Sequence, residues 1–232
     1  MSEVLLVTGG SRGIGAATAV LAARKGYAVA VNYTRAAAAA EAVVRTIREA
    51  GGSAIAVQAD VADEQQVLRM FGQVDEQLGR LTGLVNNAGI VDRSARVDEM
   101  SVDRLKRMFD INVIGSFVCA REAVKRMSTR HGGRGGAIVN VSSAASRLGA
   151  PGQYVDYAAT KGAIDVLTIG LAKEVGAEGI RVNAVRPGLI DTEIHASGGL
   201  PNRVRELAHQ VPMARGGTAE EVAEAIVWLL SP

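Results

Sequence analysis

The sequence predicts a doubly wound α/β fold, in which one parallel sheet is covered by helices on both faces in three αβα layers. Three observations predict it. Short runs of apolar, β-branched residues are continuous rather than alternating, the pattern of strands buried on both sides. Segments of helical period separate these runs, as parallel crossovers require. The first run leads through a glycine-rich turn, Thr8-Gly9-Gly10-Ser11-Arg12-Gly13-Ile14-Gly15, directly into a helix.

Each element follows in order. The first strand is 4–7. Gly9 lets the chain turn sharply, and Gly13 and Gly15 carry no side chain, so backbone can approach a pyrophosphate and the helix can pack close to the strand. The helix over 14–25 offers unpaired N–H groups and about half a positive charge to an anion. The spacing is G-x-x-x-G-x-G, not the usual G-x-G-x-x-G. A strand over 28–33 precedes a helix over 36–50, whose alanine-rich start favours helix. A strand over 53–59, a helix over 64–78 and a strand over 83–86 come next. One long helix is expected over 102–127, a flexible loop over 132–136, a strand over 137–142, a helix over 156–177 and a strand over 180–185. Residues 190–215 lack strand periodicity and read as a mobile substrate lid with a short helix. Thr218 caps a last amphipathic helix ending at Leu230, with Glu220 and Glu221 in its first turn. No linker interrupts the pattern, so residues 1–232 are expected to form a single domain.

Composition narrows the function. The chain has 232 residues, 48% of them hydrophobic and 22% charged, as in ordinary globular proteins. Its net charge of +2 is scattered, which marks no nucleic-acid surface, and 3% aromatics cannot build a base-stacking platform. No apolar run reaches the roughly 18–20 residues of a membrane span. The N-terminus enters a strand at once, so no leader is expected, and the reading is cytoplasmic. Cys119, alone, excludes an internal disulfide and is expected as a small buried hydrophobe. His131, His195 and His209 lack ligand spacing, so no metal site is expected. Trp228, Leu229 and Leu230 are expected to pack the last helix onto the sheet.

Ligands of such sheets bind at the carboxyl ends of the strands. There stand Asn86-Asn87-Ala88-Gly89, Ser142-Ser143 and Pro187-Gly188. Tyr157 and Lys161 lie four apart and share a helical face. An ammonium near a phenol favours the phenolate, which poises the tyrosine to exchange a proton with a hydroxyl or carbonyl near neutral pH.

The ordered set of glycine-rich turn, Asn-Asn-Ala-Gly, Asn112, Ser-Ser, Tyr-x-x-x-Lys and Pro-Gly resembles the short-chain dehydrogenase/reductase family over nearly the whole chain. That resemblance implies a Rossmann-type fold and hydride transfer between a nicotinamide and a carbonyl or alcohol. It implies Tyr157 as general acid or base, Lys161 lowering its pKa and holding the nicotinamide ribose, Ser143 binding the reacting oxygen, and Asn112 holding a water that links Lys161 to solvent. Gly9, Ser11, Arg12, Gly13, Ile14 and Gly15 would cradle the pyrophosphate. Asn32, Tyr33, Thr34 and Arg35 would face the adenosine ribose, with Asp60 and Val61 around the adenine. Asn86, Ala88 and Gly89 would line the cofactor, and Pro187, Gly188, Ile190 and Thr192 would contact its nicotinamide end. The family usually places its serine thirteen residues before the tyrosine; here Ser143 is fourteen and Ser142 fifteen before it. Ser143 is preferred, with an extra residue in the exposed loop around 153–156.

NAD selectivity usually rests on an acidic residue at the end of the second strand, and residues 32–35 contain none. Arg12 and Arg35 can instead pair with a 2′-phosphate, so NADP(H) is expected over NAD(H). The substrate is a 3-oxoacyl thioester, ketone or sugar. Arg121, Lys125, Arg126 and Arg130 are the candidates for docking a carrier protein, with a solvated helix face as the alternative. A non-catalytic NADP(H)-binding sensor or scaffold is the rival reading. The chain stops at Ser231-Pro232, where relatives continue into another strand, so an open sheet edge is expected. A homodimer or homotetramer built on the helices over 102–127 and 156–177 is expected.

Overall fold

The computed structural model describes residues 3–231. In chain order its elements are β1 (Val4–Val7), α1 (Gly13–Arg24), β2 (Ala28–Tyr33), α2 (Ala37–Glu49), β3 (Ala54–Gln58), α3 (Glu64–Gln77), β4 (Gly83–Asn86), α4 (Val102–Phe109), α5 (Gly115–Met127), β5 (Gly136–Val141), α6 (Ala145–Leu148), α7 (Val155–Val175), β6 (Ile180–Val185), α8 (Ile194–Ser197), α9 (Arg203–Leu207) and α10 (Ala219–Leu230). The strands pair in the order β3-β2-β1-β4-β5-β6, every pairing parallel. The doubly wound αβα expectation holds. Among the described residues β6 forms one edge of the sheet.

Burial on both faces explains why the strands read as unbroken apolar runs. Val4 and Leu6 point into one core with Met70 and Phe71 of α3, Cys119 and Ala123 of α5, and Val175 of α7. Leu5 and Val7 point the other way, into Ala19 and Ala22 of α1, Val44 and Ile47 of α2, and Ile226 and Leu230 of α10. Burial pushes the Cys119 thiol up to about 12, which leaves it an inert filler. The N-terminus of α10 carries the expected cap: Thr218 Oγ1 accepts from Glu221 N at 3.2 Å, and Glu221 Oε2 accepts from Thr218 N at 2.8 Å. Arg181 closes its other end, donating to the carbonyls of Leu229 (2.8 Å) and Leu230 (3.0 Å).

Four expectations are corrected. Trp228 is 74% exposed, because the buried face of α10 runs through Val222, Ala223, Ile226, Val227 and Leu230 and leaves position 228 on the other side. The segment 102–127 is not one regular helix: Asp110–Ile114 forms a π turn between α4 and α5. The stretch 132–136 is close packed in part: Gly132 and Arg134 are exposed, but a Cβ on Gly135 would lie 2.4 Å from the Gly179 carbonyl oxygen. Residues 190–215 hold α8, α9 and a 3₁₀ turn at Ala208–Gln210, not one short helix.

Two glycine substitutions test the packing. A Cβ on Gly15 would stand 2.5 Å from the Gly9 carbonyl oxygen and 2.6 Å from Asn87 Nδ2, whereas one on the exposed Gly72 of α3 meets nothing within 4 Å. Gly15→Ala is expected to destabilise by about 1–3 kcal/mol through overpacking. Gly72→Ala is expected to stabilise by about 0.5–1 kcal/mol through helix propensity. Urea unfolding of both variants checks the opposite signs.

Candidate active site

The polar residues of the strand ends first brace one another. Thr8 Oγ1 donates to the Val85 carbonyl at 3.2 Å and accepts from the N–H groups of Asn87 and Ala88, both at 3.0 Å. Asn87 Nδ2 returns bonds to the carbonyls of Thr8 (2.8 Å) and Gly9 (3.0 Å). Asn32 Oδ1 accepts from Gly9 N at 3.0 Å, while its Nδ2 donates to the carbonyls of Val57 (3.3 Å) and Ala59 (3.0 Å). This corrects the reading of the Asn32 side chain as a ribose contact: it is buried and committed to the turn. The Asn86 side chain likewise points inward, donating to the Ser116 carbonyl at 3.2 Å and to Asn140 Oδ1 at 3.0 Å. Thr8 and Asn87 were missed as site-builders; their signal is a hydroxyl and an amide immediately beyond two adjacent strands.

These bonds hold open a shallow cradle. Gly9 has φ +61° and Gly13 φ +52°, conformations that favour glycine. Ser11 and Ile14 line the turn half-exposed, and Arg12 is exposed at the start of α1. At the end of β2, Tyr33 packs against the core, and Thr34 donates to the Ala59 carbonyl at 3.4 Å. Arg12 and Arg35 are both exposed, and neither forms an ion pair among the described residues. Asp60 Oδ1 accepts from Ala62 N at 3.0 Å, and Val61 is buried below Gly115.

The second group converges on Lys161. The π turn carries Asn112 toward β4, where Asn112 Oδ1 accepts from Ile90 N at 2.8 Å and Nδ2 donates to the Ile90 carbonyl at 3.0 Å and to Thr160 at 3.2 Å. Such turns recur at functional sites because the extra residue re-aims a side chain. A Cβ on Gly89 would lie 3.4 Å from Asn112 Oδ1 and 3.6 Å from Lys161 Nζ, so these three residues meet. Lys161 is buried; its Nζ donates to the Val141 carbonyl at 2.7 Å and lies 5.6 Å from the centre of the Tyr157 ring. Ser142 is buried and donates to the Lys161 carbonyl at 3.1 Å, whereas Ser143 lies at the Tyr157 phenol.

The electrostatics differ from expectation. Burial pushes the Tyr157 phenol above its ordinary pKa, and the contact with Ser143 opposes that rise. The expected depression by Lys161 is not found, because the ammonium is turned to a backbone carbonyl and is itself desolvated. Burial pulls Lys161 down from 10.5 to about 8, against the opposing pull of Asp165.

An ion pair that periodicity does not reveal fixes the start of α7. Arg104 Nε meets Asp156 Oδ2 at 2.7 Å, Asp156 Oδ1 accepts from Tyr157 N at 2.9 Å, and Arg104 Nη1 donates to the Arg93 carbonyl at 2.6 Å. The segment after β6 closes the far side. The Pro187 carbonyl accepts from Ala144 N at 2.9 Å, and Gly188 is exposed beside it. Ile190 bridges to Gly217, and a Cβ on Gly13 would lie 3.3 Å from Thr192 Cγ2. His195 Nε2 contacts the Ile190 carbonyl at 2.8 Å, and burial pulls its pKa down. The buried Tyr154 donates its hydroxyl to the Gly198 carbonyl at 3.4 Å; Arg203 lies 5.4 Å from the Tyr154 ring centre and donates to Gln153 at 2.6 Å.

Holding a desolvated ammonium at Lys161 costs the native state about 3 kcal/mol at pH 7, from the difference between 10.5 and about 8. Lys161→Met, which keeps the apolar stem, is therefore expected to stabilise the protein by about 1–3 kcal/mol at pH 7. Between about 8 and 10.5 the unfolded chain keeps a proton that the native state has lost, so the wild type recovers stability and the advantage of the variant fades. Urea unfolding at pH 7 and pH 10 measures both effects; a Met variant less stable than wild type at pH 7 contradicts them.

Comparison with known proteins identifies the family. A family model described as Enoyl-(Acyl carrier protein) reductase matches residues 9–232. An uncharacterized oxidoreductase of Escherichia coli, YgfF, is 60% identical over 228 residues, covering 98% of this chain and 92% of the relative. The 3-oxoacyl-(acyl-carrier-protein) reductase FabG of Staphylococcus aureus is 40% identical over 232 residues, covering 100% of this chain and 92% of the relative. A short chain dehydrogenase from Burkholderia cenocepacia, solved in complex with NADP, superimposes with TM-score 0.90 at 35% identity over 99% of this chain and 91% of that one. A dehydrogenase/reductase from Sinorhizobium meliloti gives TM-score 0.91 at 35% identity over 99% and 88%. This chain belongs to the short-chain dehydrogenase/reductase family of oxidoreductases.

Proposed function

We propose that the chain is an NADP(H)-dependent reductase or dehydrogenase of a small carbonyl–alcohol pair, with Ser143, Tyr157, Lys161 and Asn112 as its catalytic set. The observation that carries the reading is the meeting of these four side chains beside a glycine turn in which Gly15 has no room for a Cβ. The cradle fits a dinucleotide: free N–H groups at the start of α1, uncovered glycine backbone and two unpaired arginines favour phosphate. When bound, the nicotinamide supplies or accepts the hydride.

The side chains do the rest. Ser143 donates to the substrate oxygen and holds it against the phenol. Tyr157, kept protonated by burial, gives its proton to the oxygen that gains charge on reduction and retrieves it on oxidation. Lys161, its Nζ braced on the Val141 carbonyl, holds the ribose hydroxyls of the cofactor. Asn112 and Gly89 flank Lys161, and Asn112 is the residue to hold a water that returns the proton to solvent. The lack of a carboxylate after β2, together with exposed Arg12 and Arg35, supports NADP(H) over NAD(H). The NADP bound by the Burkholderia cenocepacia relative supports the same choice.

A free ketone or sugar suits the surface better than a carrier-borne thioester. Arg121 is paired with Glu64 and Glu122, Lys125 with Glu122, and Arg126 with Asp75 and Glu122, so α5 offers an acidic partner little unbalanced charge. The reading includes a homodimer or homotetramer in the cytoplasm. Val102, Phe109, Ile114 and Phe117 along α4 and α5, with Val166 and Ile169 on α7, expose an apolar face for a second copy. Among the described residues no helix is long and apolar enough to cross a membrane.

The decisive experiment follows reduced-nicotinamide absorbance with NADPH against ketones, oxoacyl thioesters and quinones, and with NADP against sugars. Turnover is expected with at least one class, and Tyr157→Phe is expected to lower kcat by about 10²–10⁴-fold. Binding of NADPH without turnover across the panel would point to the sensor reading instead. Arg35→Glu is expected to raise the KM for NADPH about 10-fold or more while leaving that for NADH nearly unchanged. Light scattering at micromolar concentration tests the assembly, and a monomer refutes it.

A further inference from the structure

One helical turn beyond Lys161, on the same face of α7, stands a second buried ionisable group. Asp165 is 8% exposed. Its Oδ2 accepts from Arg186 Nε at 2.9 Å. Its Oδ1 and the buried hydroxyl of Ser146 each lack a hydrogen-bond partner. Burial disfavours the charged carboxylate, but Ser142, Ser146 and Arg186 outweigh it and hold Asp165 ionised below the usual carboxylate range. The Arg186 side chain is 39% exposed, so the pair contributes little stability of its own. Its location gives it another use.

The residues touching Asp165 are the immediate neighbours of the active centre. Ser142 precedes Ser143 and donates to the Lys161 carbonyl at 3.1 Å, and Arg186 precedes Pro187-Gly188. Lys161 itself is fastened to Val141, the last residue of β5. We propose that Asp165 is a positioning residue for the catalytic set: the buried counter-charge to Lys161, placed one turn along the same face of α7, and the tie that holds the end of β6 to that helix. It rests on the oxidoreductase reading for the task given to Lys161, but the placement of the charge stands apart from any substrate.

The surroundings leave Asp165 as the counter-charge. On α7, Lys161 also faces the Tyr157 phenol, which burial keeps neutral. β5 presents the Val141 carbonyl and the Ser142 hydroxyl, and the π turn presents neutral Asn112. The end of β6 brings Arg186, already bound to Asp165, and α4 brings Arg104, already bound to Asp156. Asp165 alone draws the lysine back toward its ordinary value against burial.

The protein has five lysines, so ¹³Cε-lysine labelling gives a spectrum of five resonances, with Lys161 assigned by its loss in Lys161→Met. Its titration midpoint is expected near 8 in the wild type. Asp165→Asn is expected to lower that midpoint by about one pH unit, and Asp165→Glu to restore most of it. Arg186→Gln leaves the carboxylate facing Lys161 unshared and is expected to raise the midpoint. With any substrate that turns over, the alkaline limb of kcat/KM follows the same order. An unmoved midpoint in folded Asp165→Asn overturns the proposal. If that variant does not fold, a fall or no change in Arg186→Gln overturns it. Absence of turnover would instead count against the proposed function and leave the lysine titration to decide this one.

Discussion

A parallel sheet brings the carboxyl end of every strand to a single edge, and a strand buried on both faces has no other place to keep polar side chains. That constraint organises this molecule. Thr8, Asn32, Asn86, Asn140 and Ser142 all stand at or just beyond strand ends and are all buried. They bond to partners far apart in sequence: Asn32 ties β2 to the glycine turn and to β3, and Asn140 reaches Thr168 on α7 at 2.9 Å, while Asn86 Oδ1 alone among their side-chain atoms stays without a partner. A buried donor or acceptor left unpaired costs about 1–3 kcal/mol, so the edge is held more rigidly than loops ordinarily are. The glycine turn stays open because this network, not its own sequence, fixes its path.

Helix α7 carries the complementary burden. Asp156, Tyr157, Lys161 and Asp165 occupy its inner side, where an apolar stripe would pack at lower cost. Burial raises the phenol and lowers the ammonium, so it drives both groups toward neutrality. Two arginines from outside the helix, Arg104 and Arg186, anchor its acidic residues at opposite ends of the reactive stretch. The Arg104 pair fixes where the tyrosine begins its turn, and the Arg186 pair sets the field around the lysine. Charge is concentrated where the chemistry is and neutralised elsewhere, as the closed pairs along α5 show.

What was legible in the sequence follows from range. The bounds of β1, β2, β4 and β6, and the spacing of Tyr157 and Lys161, are local patterns, and the structure reproduces them. The inward turn of Asn32 and Asn86 was not legible, because a polar residue at a strand end reads the same whether it faces solvent or the next strand. The Arg104–Asp156 pair joins residues 52 apart, and nothing in either neighbourhood announces the other. The π turn escaped for a different reason: one extra residue shifts the helical phase by about a quarter turn, which a pattern averaged over 102–127 absorbs. Trp228 was misjudged because its size suggested burial, while the helical period had already placed it on the outer face.

The chain between Ser143 and Tyr157 has a structural use beyond joining two hydroxyl groups. The chain between them passes through positive φ at Gly149 (+74°), Ala150 (+46°) and Gly152 (+67°). A non-glycine residue in that region costs about 1–2 kcal/mol. The Ala150 carbonyl offsets it by accepting from the N–H groups of Gln153 (3.3 Å) and Tyr154 (3.1 Å). That turn delivers Tyr154 inward, under Gly198 and beside Arg203, and Gln153 against the Arg203 guanidinium. The segment between the two hydroxyl groups thus also anchors α8 and α9. A turn that moved Tyr154 outward would leave α8 and α9 without these contacts. The start of α7 and the placement of α8 and α9 are therefore fixed by one stretch of chain.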